Sequence, residues 1–156
     1  MEYSQQYDDK RLVTVAQGSM QIFNKIVARL TKLGISLMGS RVLSVRGRKS
    51  GDWRSTPVNL MVLDGQRYLV APRGHTQWVR NLRANPEGRL QLGRKVETFR
   101  AEELADADKP DVIRLYLKKW SWEVGTFFNG DVRADSPLET LRHVAPGVPV
   151  FKIHSL

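Results

Sequence analysis

Residues 41–71 read RVLSVRGRKSGDWRSTPVNLMVLDGQRYLVA. Arg41 to Arg46 predicts a strand, ended by the turn Gly47-Arg48-Lys49-Ser50-Gly51 with glycine at both ends. A second strand starts near Trp53 and runs through Val58, Leu60 and Val62, with Met61 and Leu63 on the other face. Asp64-Gly65 is a hairpin signal, because Asp and Gly tolerate the positive φ that a two-residue turn demands. The chain returns through Arg67 to Ala71, and Pro72-Arg73-Gly74 breaks it. Strands joined by such tight turns pair antiparallel.

Outward from this stretch the pattern repeats. Thr76 to Ala84 predicts a short helix, with Thr76 as its N-cap, Trp78 and Leu82 four apart, and Asn85-Pro86 as its stop. Arg89 to Leu92 and Lys95 to Glu103 form a further hairpin through Gly93-Arg94. Ala107 to about Phe128 is helical, residues 129–137 are a loop, and Pro137 to Val144 is a short helix. Val148 to His154 is a last strand. In so short a chain, closing the sheet into a small barrel is the economical way to remove its edges.

Upstream, residues 1–10 are expected to be a flexible tail, and 11–156 a single barrel domain with an N-terminal amphipathic helix. That helix, between Val13 and Leu37, carries Met20, Phe23, Val27 and Leu30 on one row and Ile22, Ile26 and Leu33 beside it. Lys25, Arg29 and Lys32 give it a basic face, compatible with packing on the barrel or with contact to an anionic membrane.

The length of 156 residues suits one domain, and 41% hydrophobic with 26% charged residues excludes a disordered chain. With no cysteine there is no disulfide, thiolate nucleophile or cysteine zinc site. His75, His143 and His154 are scattered, so no metal site is expected. No apolar run approaches the ~20 residues of a spanning helix. The N-terminus lacks a signal-peptide pattern, and a cytoplasmic protein, with peripheral membrane contact left open, is expected. The net charge of +9 calls for an anionic partner or a solubilising surface. Nucleic acid is not expected, because the basic residues do not interleave with aromatics as in known modules.

The turn at residues 47–51 is the sharpest chemical feature. Glycine freedom can aim backbone N–H groups into one concavity, Arg48 and Lys49 add cations, Ser50 adds a hydroxyl, and Arg54 follows on the next strand. Such a set suits phosphate or carboxylate; on spacing alone a solvated hairpin tip with chance basic residues is the alternative. Outside it, Trp120, Trp122, Phe127 and Phe128 are candidates for core packing or for an apolar pocket. Tyr116 is a candidate proton donor or a buried structural tyrosine. His75 lies beside the supposed site, though a loop histidine is more often plain surface, and Asp106, Asp108 and Asp111 read as residues serving a helix start.

The run GRKSGDWRSTP from Gly47 to Pro57, a DG hairpin, and then Trp78-x-x-Asn81-Leu82-x-Ala84-Asn85-Pro86 resemble the deazaflavin (F420)-dependent nitroreductase family over roughly residues 40–104. The resemblance implies a mainly β (α+β) fold, an antiparallel split β-barrel with flanking helices, related to flavin-binding pyridoxamine-phosphate-oxidase-like proteins. It implies coenzyme F420, a deazaflavin with a phosphate and an oligoglutamate tail. By position it implies that Arg48, Lys49, Ser50 and Arg54 meet the phosphate or tail, and that Trp78 and Asn81 lie near the coenzyme.

Two departures stand out. The segment before the tryptophan is shortened to Ala71–Gln77, with Pro72 removing one N–H, and the C-terminal third lacks the family's usual aromatic substrate segment. Two functions therefore stand side by side. One is a reductase passing a hydride from reduced F420 to a quinone, enone or nitro acceptor. The other is a non-catalytic carrier of a fatty acyl or other apolar ligand with an acidic head. FMN in place of F420, or no redox cofactor with a bound fatty acid, are the corresponding cofactor alternatives. A monomer and a homodimer are both compatible with the sequence.

Overall fold

The computed structural model describes residues 7–14, 40–128 and 131–156. Six strands form a closed antiparallel barrel: β1 (Ser40–Arg46), β2 (Trp53–Leu63), β3 (Gln66–Val70), β4 (Glu87–Leu92), β5 (Lys95–Glu103) and β6 (Val150–Ser155). Their order around the barrel is β1-β2-β3-β6-β5-β4, with β4 closing on β1. The fold is thus the antiparallel split β-barrel with helices that the sequence predicts. The Asp64-Gly65 turn holds as read, both residues at positive φ (52° and 77°) with Leu63 opposite Gln66. Sequence spacing did not show that β6 inserts between β3 and β5, a pairing that brings Val150 opposite Val70.

Strand alternation divides the apolar residues into two cores. The barrel interior holds Leu43, Val45, Leu69, Leu90, Phe99 and Ile153. α1 (Gln77–Ala84) joins β3 to β4 and adds Val79 and Leu82 to that interior, both fully buried. The second core lies outside the barrel wall, where Met61, Val70 and Val150 meet α2 (Pro110–Val124) and α3 (Leu138–Val144). The long helix expected from Ala107 to Phe128 is divided. A 3-10 turn at Asp106–Asp108 precedes α2, Pro110 opens it, and a second 3-10 turn spans Gly125–Phe128. Trp120 departs from helical geometry (φ −129°, ψ 19°) and kinks α2 just before that end.

Residues 7–14 correct the expectation of a flexible tail over 1–10, at least from Tyr7 onward. Tyr7 is buried and stacks on Phe128 at 6.2 Å. Arg11 is buried too, donating to the carbonyls of Gly147 and Phe127 at 2.7 Å each, with its guanidinium over the Tyr7 ring. Burial pushes its pKa below the usual arginine value. This strap then pairs with the segment after β3: Leu12 bridges Gly74, and Val13 N–H donates to Arg73 O. Gly74 (φ +97°) makes the approach feasible, since a Cβ there would stand 2.2 Å from Arg11 O. The amphipathic helix expected between Val13 and Leu37 lies outside the described residues beyond Thr14.

Candidate functional site

A cleft of about 650 Å³ opens between the β1–β2 turn, the start of β2, residues 73–76, α1 and Leu12 of the strap. All six residues singled out as ligand-binding in the sequence line it: Arg48, Lys49, Ser50, Arg54, Trp78 and Asn81. Residues 33 positions apart thereby meet, because α1 is laid against the turn.

The turn is built differently from the expected N–H cradle. Gly47 N–H donates to Asp52 O at 2.7 Å and Gly51 N–H to Gly47 O at 2.8 Å. Arg48 N–H donates to Asn81 Oδ1 at 3.1 Å. Three of the five amide donors are thus used within the protein, and a ligand is left chiefly with side chains. Only Gly51 needs positive φ; Gly47 instead keeps room for the Ser50 hydroxyl, which a Cβ would approach to 2.9 Å. That hydroxyl accepts from Asp52 N–H at 3.1 Å.

Arg48 is fixed by α1, its guanidinium donating to Gln77 Oε1 and Asn81 Oδ1 at 2.8 Å each. Asn81, buried, is therefore a clasp between turn and helix as well as a wall of the cleft. Lys49 and Arg54 are exposed and have no ion-pair partner among the described residues. Trp78 is half-buried, its ring 5.9 Å from that of Phe151, so one side packs on the barrel while the residue still lines the cleft.

Sequence reading missed two cleft residues, Arg73 and Arg80, and did not foresee the burial of a third, His75. Arg73 is half-buried, and its Nε donates to Val13 O at 3.0 Å. Arg80 stands one helical turn after Thr76. His75, expected at the surface, is 5% exposed; Arg83 donates to its Nδ1 at 3.0 Å, so Nε2 carries the proton toward Asp8 O and Pro146 O. Thr76 is the N-cap by position but makes no capping hydrogen bond, and its Oγ1 is buried without a partner. Among the described residues the lining thus carries Arg48, Lys49, Arg54, Arg73 and Arg80, and no Asp or Glu.

The remaining candidates fall elsewhere. Tyr116 lies in the outer core, 3% exposed and 5.0 Å from the Trp120 ring, and does not line the cleft. Trp120 and Phe128 are buried in the same core, so the aromatic C-terminal segment is packing at those positions rather than the wall of an apolar pocket. Asp106 pairs with the buried Lys109 at 2.8 Å, and Lys109 also donates to Ala145 O. Among the described residues no three His, Asp or Glu side chains gather as a metal site, and no helix is long and apolar enough to cross a membrane.

Comparison with solved structures agrees on the fold. The chain matches a protein described as a domain-swapped dimer over 87% of its own length and 96% of that chain, at 21% identity and TM-score 0.53. It matches the F420-H2 dependent reductase FDR-A over 74% of its own length and 94% of that chain, at 22% identity and TM-score 0.51. It also matches the Agrobacterium tumefaciens protein Atu2129, of unknown function, over 93% of its length and 58% of that chain, at 13% identity and TM-score 0.56. No curated protein matches the chain. The barrel and its cationic cleft define the class as a split-barrel protein with a cation-lined cleft. Residues 19–124 match the model of the F420H2-dependent quinone reductase family, and the chain belongs to that family. It is accordingly an F420H2-dependent reductase whose cofactor is coenzyme F420.

Proposed function

We propose that the cleft holds coenzyme F420 and that the electron acceptor is a quinone. The observation that carries the reading is the charge where the turn meets β2: Arg48, Lys49 and Arg54 all line the cleft, with no carboxylate among the described lining residues. A cofactor bearing a phosphate and an acidic tail needs such a wall, and charge-assisted bonds to arginine suit both groups. Trp78 supplies an aromatic surface beside the cations, and about 650 Å³ is an ordinary cofactor-site volume. The residues present therefore fit the group.

When bound, the reduced deazaflavin supplies a hydride for the acceptor. The chain's own residues bind and orient. Lys49 and Arg54 attract the acidic tail. Arg48, preset by Gln77 and Asn81, offers its remaining guanidinium face without further ordering. The strap, through Leu12, narrows the cleft and limits water. Quinone as acceptor is supported by the family to which the chain belongs. A homodimer is supported by the domain-swapped relative of similar fold. The direct test is consumption of reduced F420 with a soluble quinone: turnover in the parent and loss in Arg48→Ala are expected. A parent protein that binds F420 but reduces no quinone would remove the acceptor assignment.

A further inference from the structure

α1 presents two neighbouring rows to the cleft. Gln77 and Asn81, four apart, form the row that grips Arg48. Thr76 and Arg80, also four apart, form the next row, and nothing among the described residues occupies it. Thr76 Oγ1 is the one described buried side-chain polar atom without a hydrogen-bond partner. Arg80 is exposed on the cleft and unpaired among the described residues. Arg73, three residues before Thr76, joins them from the loop. Its Nε is held by Val13 O, which fixes the guanidinium, and its terminal nitrogens have no partner among the described residues. Burial pushes the Arg73 pKa below the usual arginine value, so the charge stands in a partly dry wall where an anion would be favoured. Leu12, 45% exposed at the same cleft, places an apolar edge next to this set.

An arginine pair, an orphan hydroxyl and an apolar edge together describe a ligand with a ring and an anionic substituent. We propose that Arg73, Thr76 and Arg80 form a second anion subsite, apart from Arg48, Lys49 and Arg54, that selects acceptors carrying a sulfonate or carboxylate. The inference rests on the reading that the β1–β2 turn serves the cofactor. It assigns to this chain a preference for charged over neutral acceptors.

The test is calorimetric binding of 1,4-naphthoquinone-2-sulfonate and of uncharged 1,4-naphthoquinone to protein loaded with oxidised F420. The sulfonate should bind roughly tenfold or more tightly than the neutral ring, the scale of one charge-assisted bond. Arg80→Gln and Arg73→Gln should each abolish most of that preference while F420 affinity stays within about twofold. Thr76→Val, which keeps the shape, should weaken sulfonate binding without lowering the melting temperature, because an orphan hydroxyl is removed. Equal affinity for the two rings, or variants that lose F420 affinity and keep the preference, would overturn the subsite. Should the parent not bind F420, the cofactor-site reading fails by itself. The same titration on the unloaded protein then still decides the subsite, by whether Arg80→Gln removes a sulfonate preference.

Discussion

The molecule has two places where sequence composition pointed to a ligand, and the fold treats them in opposite ways. At the cleft, cations from three separate segments meet without a neutralising carboxylate among the described lining residues. At the C-terminal helices, aromatic residues meet as well, but Trp120 and Phe128 are buried against Tyr7, Val112, Leu117 and Val144. Aromatic groups lower their free energy by packing on each other, so their clustering needs no ligand. Like charges raise theirs, so their clustering calls for a partner of opposite sign. The difference separates scaffold from site more sharply than the composition of either region.

The comparison breaks first at Trp120. Trp120→Ala should cost about 3–5 kcal/mol of stability, read from urea unfolding, and leave F420 affinity unchanged in the folded fraction. A variant that unfolds normally but loses ligand would put the aromatic segment back in the site. Gly74→Ala should be next. The positive φ alone costs about 1–3 kcal/mol, and the new Cβ meets Arg11 O, so the strap should loosen and protease cleavage near residues 7–14 should speed up. Wild-type resistance to cleavage would show that the strap is not held by this approach.

Arg48 and Lys49 sharpen the comparison within the cleft. Both are exposed, yet only Arg48 is bonded to α1. Arg48→Ala should lose about 0.5–1.5 kcal/mol of stability and ten- to a hundredfold in F420 affinity. Lys49→Ala should change stability by no more than about 0.5 kcal/mol. Identical melting curves for the two variants would contradict the clasp.

The smallest effect lies far from both regions. Arg67 makes two hydrogen bonds to Glu97 on the barrel wall, at 2.7 and 2.6 Å, and this holds the Glu97 carboxyl below the usual carboxylate range. The stabilisation is present above that range and is lost as pH falls through the lowered value. Since the Glu97 side chain is 40% exposed, Glu97→Gln should cost under about 1 kcal/mol near neutral pH, and nothing once both forms are uncharged. A cost that persists in acid would assign the effect to packing.

Much of the fold was legible because its signals are local. Asp64-Gly65 fixes a hairpin and the alternation through Leu60 and Met61 assigns two faces, whereas the helical run from Ala107 did not show that the helix starts at Pro110. That six named residues line one cleft follows from the basic turn, read from its own residues, and from Trp78 and Asn81, which only the family resemblance singled out. What was not legible depends on distant pairing. Arg73 faces the cleft because Val13 holds it, His75 is buried because Asp8, Arg83 and Pro146 surround it, and Tyr7 is core because Gly147 lacks a side chain where a Cβ would stand 2.6 Å from Tyr7 Cα. The expected N–H cradle failed for the same reason: Asn81, 33 residues away, takes the Arg48 amide.

The central claim is that Arg48, Lys49 and Arg54 recognise the acidic part of coenzyme F420. Fluorescence titration of the parent and of Lys49→Ala with F420, at low and at high salt, tests it most directly. Saturable binding is expected that weakens with added salt, with Lys49→Ala binding about tenfold more weakly at low salt and showing a shallower salt dependence. Binding equally tight in both proteins and indifferent to salt would contradict the claim.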